Sequence, residues 1–156
     1  MAIPACNTGT DPVVVAVALG GNLGDVPRTF QQAIARLRRT DNVKVLRCSG
    51  NYQTRAIGSQ AGADYFNAAI ELETTLSPRA LLTTLQEIES ELGRVRTGHW
   101  SPRTLDLDLL SYGSEVIDES DSPHPLSVPH PACWYRRFVL DPWTEIAPEW
   151  RHPLLN

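Results

Sequence analysis

Lysine is nearly absent from this chain: of its 14 basic residues only Lys44 is a lysine. Arginine, whose fixed fork of donors suits carboxylates and phosphates, carries the rest of the positive charge. Five of these arginines, Arg94, Arg96, Arg103, Arg136 and Arg137, fall in two short segments. Cysteine is also scarce. Cys6, Cys48 and Cys133 are odd in number, far apart and without metal-ligand spacing, which argues against a disulfide framework and a zinc site and suits a reducing cytoplasm. There is no long apolar run either: the longest, VVVAVAL at 13–19, is much too short to span a bilayer. The N-terminus lacks the charged start and cleavage pattern of a signal peptide, so a soluble, unprocessed, cytoplasmic protein is expected. Positive charge is not in excess. A net charge of -4 argues against nucleic-acid or membrane-surface binding by long-range attraction but leaves room for a local basic site.

A chain of 156 residues can bury a sizeable core without staples, so one domain is expected. Residues 1–12 read as a loose tail and the domain as 13–156. VVVAVALGGNLGD predicts a buried strand entering a glycine-rich turn, with Asp25 capping a helix that carries Val26, Phe30, Ala33, Ile34 and Leu37 on one face. Strands are predicted over 43–52 and in YFNAAIELET at 65–74, joined by a long loop at 55–64. Ser77 and Pro78 start a second helix with Leu81, Leu85, Ile88 and Leu92 on one stripe, closed by Gly93. A second long loop, GRVRTGHWSPR, leads into the strand TLDLDLLSY. The order is that of an α+β, ferredoxin-like βαββαβ sandwich. After about residue 115 the chain is rich in proline and tryptophan and reads as a loop-rich extension with one or two short elements.

Side chains alternate along a strand, so Asp106 and Asp108 share one face while Leu105, Leu107 and Leu109 share the other. Two readings are open at this point. One is an amphipathic strand with a wet face; the other is a carboxylate pair whose repulsion a cation relieves, magnesium being the ion that combines carboxylates with substrate phosphates. Arg94, Arg96 and Arg103, with Trp100 among them, add the features of a polyphosphate site. LGGNLGD lacks the GK[ST] ending and the full GxGxxG spacing, so alone it reads as a tight turn. No nucleophile triad stands out, and the histidines have no ligand spacing.

The pieces ALGGNLGD at 18–25, YQT at 52–54, YFNAA at 65–69, GRVR at 93–96, WSPRTLDLDLL at 100–110, VPHP at 128–131 and RRFVLDP at 136–142 together resemble the 6-hydroxymethyl-7,8-dihydropterin pyrophosphokinase family of folate biosynthesis, from Val13 to Pro153. The resemblance implies a ferredoxin-like fold and transfer of pyrophosphate from ATP to the pterin hydroxymethyl group, with AMP released. It implies two Mg2+ ions held by Asp106 and Asp108, and Arg94, Arg103 and Asp106 as the catalytic set. Thr54, Tyr65, Asn67, Trp100 and Phe138 would bind the pterin, Tyr65 and Phe138 by stacking on its faces. Gln86, Glu89, Arg94, Arg96, Trp100, Arg103, Leu109, Ser127, His130 and Arg136 would bind ATP. The expected partners are these two substrates, with no nucleic acid or membrane, and the expected state is a monomer.

Several positions depart from the family pattern. Ala56 stands where a proline is usual, Ser101 where WGPR is usual, and Gly21 where serine is usual, the last a mild change as read from sequence. The 118–125 connection is longer than usual, and Pro125 stands where some members have an arginine. Ala56 and Ser101 motivate the alternative of a catalytically impaired nucleotide- and pterin-binding module. A two-metal phosphodiesterase is a third reading, for which the sequence offers no water-activating base.

Overall fold

Strand β1, Val13–Gly21, alternates large and small residues, with Val15, Val17 and Leu19 on one side and Ala16, Ala18 and Gly20 on the other. A strand so sorted serves two unequal faces. In the computed structural model, which describes residues 11–56, 62–94 and 102–155, the large residues face two helices and the small ones form a shallow floor. Helix α1 spans Val26–Arg38 and helix α2 spans Pro78–Glu91. Asp25 and Ser77 cap them, accepting hydrogen bonds from Arg28 N (3.2 Å) and Ala80 N (3.2 Å), as their positions in the sequence predict.

The sheet is antiparallel, in the order β2 (Val43–Cys48), β4 (Tyr65–Thr74), β1, β5 (Asp106–Tyr112), with β3 (Tyr52–Thr54) also pairing β4. This is the strand order of a ferredoxin-like βαββαβ sandwich. The predicted strand over 43–52 is two strands here. Both pair the same edge of β4, and between them Ser49 Oγ takes the Ala69 N–H (2.9 Å) while Glu145 takes the Gly50 N–H (3.2 Å). The helix-side core joins Phe30, Leu37, Leu81, Leu85, Ile88, Leu105, Leu107 and Leu109 to the large residues of β1. Each fully buried side chain of this kind contributes about 1.5–3 kcal/mol. No helix among the described residues is long and apolar enough to cross a membrane.

The C-terminal segment differs from expectation. Beyond the hairpin of β6 (Ile117–Glu119) and β7 (Leu126–Val128), residues Arg137–Ile146 form a helix, α3, that continues through Pro142. A proline costs an interior helix about 3 kcal/mol, so local preference reads as loop. Packing overrides it. Val139, Trp143 and Ile146 close over Ala16, Ala18, Ala69 and Leu110, covering one end of the floor that the small residues leave. Among the described residues the other end, at Gly20, is left only half-buried.

Candidate active site

The Gly20 end of the floor is set by strand register. Asn67 on β4, Gly20 on β1 and Asp106 on β5 are partners in one row, and Tyr52 on β3 extends it beyond Asn67. Thr54 pairs with Tyr65 two residues along, and Asp108 pairs with Ala18, so Thr54, Tyr65, Asn67, Asp106 and Asp108 share the face. Glycine at position 20 keeps the middle of the row bare. A Cβ there would lie 3.3 Å from Asn67 Oδ1 and 3.9 Å from Asp106 Cβ.

Asp106 is held by two arginines: Arg94 Nη1 donates to Oδ1 (2.7 Å) and Arg103 Nη1 to Oδ2 (2.7 Å). Arg94 also pairs with Glu89 Oε1 at 2.7 Å, and Glu89 accepts the Leu107 N–H at 2.7 Å. Burial works against the Arg94 charge, but the carboxylates of Asp106 and Glu89 more than offset it and raise its pKa. Asp108 has no ion-pair partner among the described residues. Burial beside the α3-covered end, then the charges of Asp106 and Glu89, push its carboxyl up from 3.8 to about 7. Among the described residues no group of three or more His, Cys, Asp or Glu side chains forms a metal site by itself. Two carboxylates on one strand face are a donor set of the kind Mg2+ takes, the rest of its shell being phosphate oxygens and water.

Of the predicted pterin residues, Tyr65 and Phe138 are exposed, at 37% and 43%, rather than packed in a core. Phe138 stands on the first turn of α3, where the Arg136 guanidinium lies 5.8 Å from its ring and 5.9 Å from that of Tyr135. His130 is half-buried; its backbone N–H donates to Leu110 O (2.8 Å) and its Nδ1 accepts from Ala132 N (3.1 Å). Burial and then the Arg136 charge lower its pKa, opposed by Asp106. His130 thus stands within electrostatic reach of both Arg136 and Asp106.

The predicted nucleotide residues divide. Glu89 is not a solvated helix residue: at 3% exposure it is welded to β5 and Arg94. Gln86, one turn earlier, is exposed and lines a shallow groove with Ser90, Pro123, His124 and Pro125, beside a loop that Arg79 ties to α2 through Glu119 and the His124 carbonyl. Ser127 is half-buried on β7. Leu109 belongs to the helix-side core, on the face opposite the aspartates, so the structure does not bring it to them. Arg96 and Trp100 lie outside the described residues.

Residues 16–148 match the profile of the HPPK family, 7,8-dihydro-6-hydroxymethylpterin-pyrophosphokinase. The chain belongs to this family. It is 46% identical over 137 residues to the 2-amino-4-hydroxy-6-hydroxymethyldihydropteridine pyrophosphokinase of Synechocystis sp., covering 88% of this chain and 68% of that one. It is 41% identical over 134 residues to the enzyme of the same name from Bacillus subtilis, covering 86% and 78%. Among solved structures it resembles Plasmodium falciparum HPPK-DHPS with pteroate, with a TM-score of 0.71 at 14% identity over 93% of this chain. It spans 40% of that longer chain, and the likeness concerns the fold.

Within this pyrophosphokinase fold, sequence reading passed over Asn22. Its N–H and that of Leu23 donate to Arg103 O (2.9 and 3.1 Å), and its Oδ1 accepts the Arg103 N–H (2.9 Å). The only sequence signal was the glycine-rich turn that holds it. Gly21 explains the close approach, because a Cβ there would meet Thr104 O at 2.8 Å and Val26 Cγ1 at 3.2 Å. A Cβ at position 21 would require this backbone to shift. Gly21→Ala is expected to lower thermal stability by about 1–3 kcal/mol through displacement of the Arg103–Thr104 backbone, measured by melting.

Proposed function

We propose that this chain transfers pyrophosphate from ATP to the hydroxymethyl group of 6-hydroxymethyl-7,8-dihydropterin, releasing AMP, across the row from Asn67 to Asp106. The observation that carries the reading is this row: a hydrogen-bonding side chain, a bare glycine and a carboxylate aligned on three adjacent strands. Family membership supplies the reaction class. The pterin would lie at the Asn67 end, its faces against Tyr65 and Phe138 and its edge read by Asn67 and Thr54, with Trp100 covering the site. The ATP phosphates would lie at the Asp106 end.

Asp106 and Asp108 would hold Mg2+, two ions in the full complex. Bound there, the metal supplies charge neutralisation to the phosphate oxygens and orients the attacked phosphorus. Arg94 and Arg103 stand at this place, paired with Asp106, and would turn to the moving pyrophosphoryl group and offset its charge once Mg2+ takes that carboxylate. Asp106 accepts a hydrogen bond from the attacking hydroxyl and aligns it. Gln86, Arg96, Ser127, His130 and Arg136 would hold the nucleoside and its phosphates. Glu89 acts one step removed, by fixing Arg94.

The test is product analysis with the hydroxymethyl dihydropterin under saturating Mg-ATP. AMP and pterin diphosphate are expected in equal amounts, and only with magnesium present. Absence of AMP would leave a binding module, and AMP or phosphate release without the pterin would indicate a hydrolase.

A further inference from the structure

The turn LGGNLGD lacks the pattern of a phosphate-binding loop, yet its geometry is specific. Asn22 is 8% exposed, an uncommon place for a side-chain amide unless its hydrogen bonds are made. Those bonds converge on one residue: both backbone polar groups of Arg103 are satisfied by Asn22 and Leu23, through three hydrogen bonds of 2.9, 3.1 and 2.9 Å. Gly21 lets the two backbones touch. The Arg103 guanidinium then reaches Asp106 Oδ2 at 2.7 Å with its main chain already immobilised. The other end of the Asn22 amide faces the chain that returns to β4, for a Cβ at Gly62 would lie 3.9 Å from Nδ2.

We propose that Asn22 is a positioning residue for Arg103, clamping its backbone so that the guanidinium is held where negative charge develops on the transferring group. This rests on the pyrophosphokinase reading. Asn22 does not touch the reacting atoms; it acts by removing the freedom of the residue that does. A misplacement of about 1 Å at such a site costs about a hundredfold in rate. Asn22→Ala leaves the Arg103 N–H without its acceptor and frees that backbone to shift. Asn22→Asp keeps an oxygen in place and preserves the clamp on Arg103, losing only the amide end.

The experiment is a double-mutant cycle with Arg103→Ala, read by steady-state kinetics and by amide hydrogen exchange over residues 102–106. In the otherwise unchanged protein, Asn22→Ala is expected to lower kcat by about 10- to 100-fold, with KM for ATP altered less than about threefold. In the Arg103→Ala background the same change should cost less than about threefold, because nothing remains for the clamp to position. Asn22→Asp should restore most of the rate. Exchange at the Arg103 amide should accelerate at least about tenfold in Asn22→Ala and stay near the parent value in Asn22→Asp. Multiplicative losses in the two backgrounds would overturn the proposal, as would unaltered exchange at Arg103. If the parent protein releases no AMP, the function reading fails by itself, and the exchange result still decides whether the clamp exists. Should Asn22→Ala not fold, Asn22→Ser, whose shorter side chain withdraws the acceptor, takes its place under the same criteria.

Discussion

An Asp108→Asn protein is expected to lose pyrophosphoryl transfer by about a hundred- to a thousandfold or more, yet to melt above the parent in magnesium-free buffer at pH 8. The two effects share one cause. Asp108 lies beside the covered end of the floor without an ion-pair partner among the described residues, and its carboxyl is pushed up to about 7 by burial and by the charges of Asp106 and Glu89. A folded-state pKa above the ordinary 3.8 means that the folded chain holds a proton which the unfolded chain has released between these values. Stability of the metal-free protein therefore falls as pH rises from about 4 to about 7, and the full cost is present above that window. Asparagine carries no charge to bury, so the variant should gain about 1 kcal/mol or more at pH 8, roughly 3 °C in melting temperature, and gain little at pH 4. Magnesium should raise the melting point of the parent and not that of the variant. Near-normal turnover in Asp108→Asn would make the carboxylates a wet strand face after all.

The second large effect is expected at Glu89. Its carboxylate binds the Leu107 N–H at 2.7 Å and the Arg94 guanidinium at 2.7 Å, at a position 3% exposed. Glu89→Ala strands a buried backbone donor and removes one of the two carboxylates that hold Arg94 among the described residues, leaving Asp106. Breaking a buried ion pair from one side costs about 3–5 kcal/mol. Against a total stability of about 5–15 kcal/mol for a domain, that is a large fraction, and chemical denaturation should show it directly. Glu89→Gln retains an oxygen for Leu107 and should cost less than half as much. Both variants should also lower kcat, because Arg94 then has one carboxylate fewer to orient it toward the phosphates. A change confined to ATP affinity, with stability unaltered, would instead mark Glu89 as a direct nucleotide ligand.

Local pattern carried much of the fold. The two capped helices, the long strands and the opposition of Asp106 and Asp108 to Leu105, Leu107 and Leu109 follow from residue period and from cap and turn chemistry, which act over a few neighbours. Helix α3 was not legible, because Pro142 argues against it locally and only the packing of Val139, Trp143 and Ile146 on a floor of alanines sustains it. The burial of Glu89 was hidden for a related reason: helical spacing put it beside the apolar stripe, and only contact with β5 decided that it points inward.

By itself the sequence determined the large-small alternation of β1, the carboxylate pair on one face of β5, an arginine-rich positive charge, and motifs specific enough to name the family. Tertiary structure alone decided that Asn67, Gly20 and Asp106 stand in one row, that Asn22 grips Arg103, and that among the described residues Asp106 has ion-pair partners while Asp108 has none. The physical reason is range. Alternation and capping are set by residues a few positions apart, whereas strand register, backbone approach and the electrostatics of a buried carboxylate are set by groups brought together from distant parts of the chain.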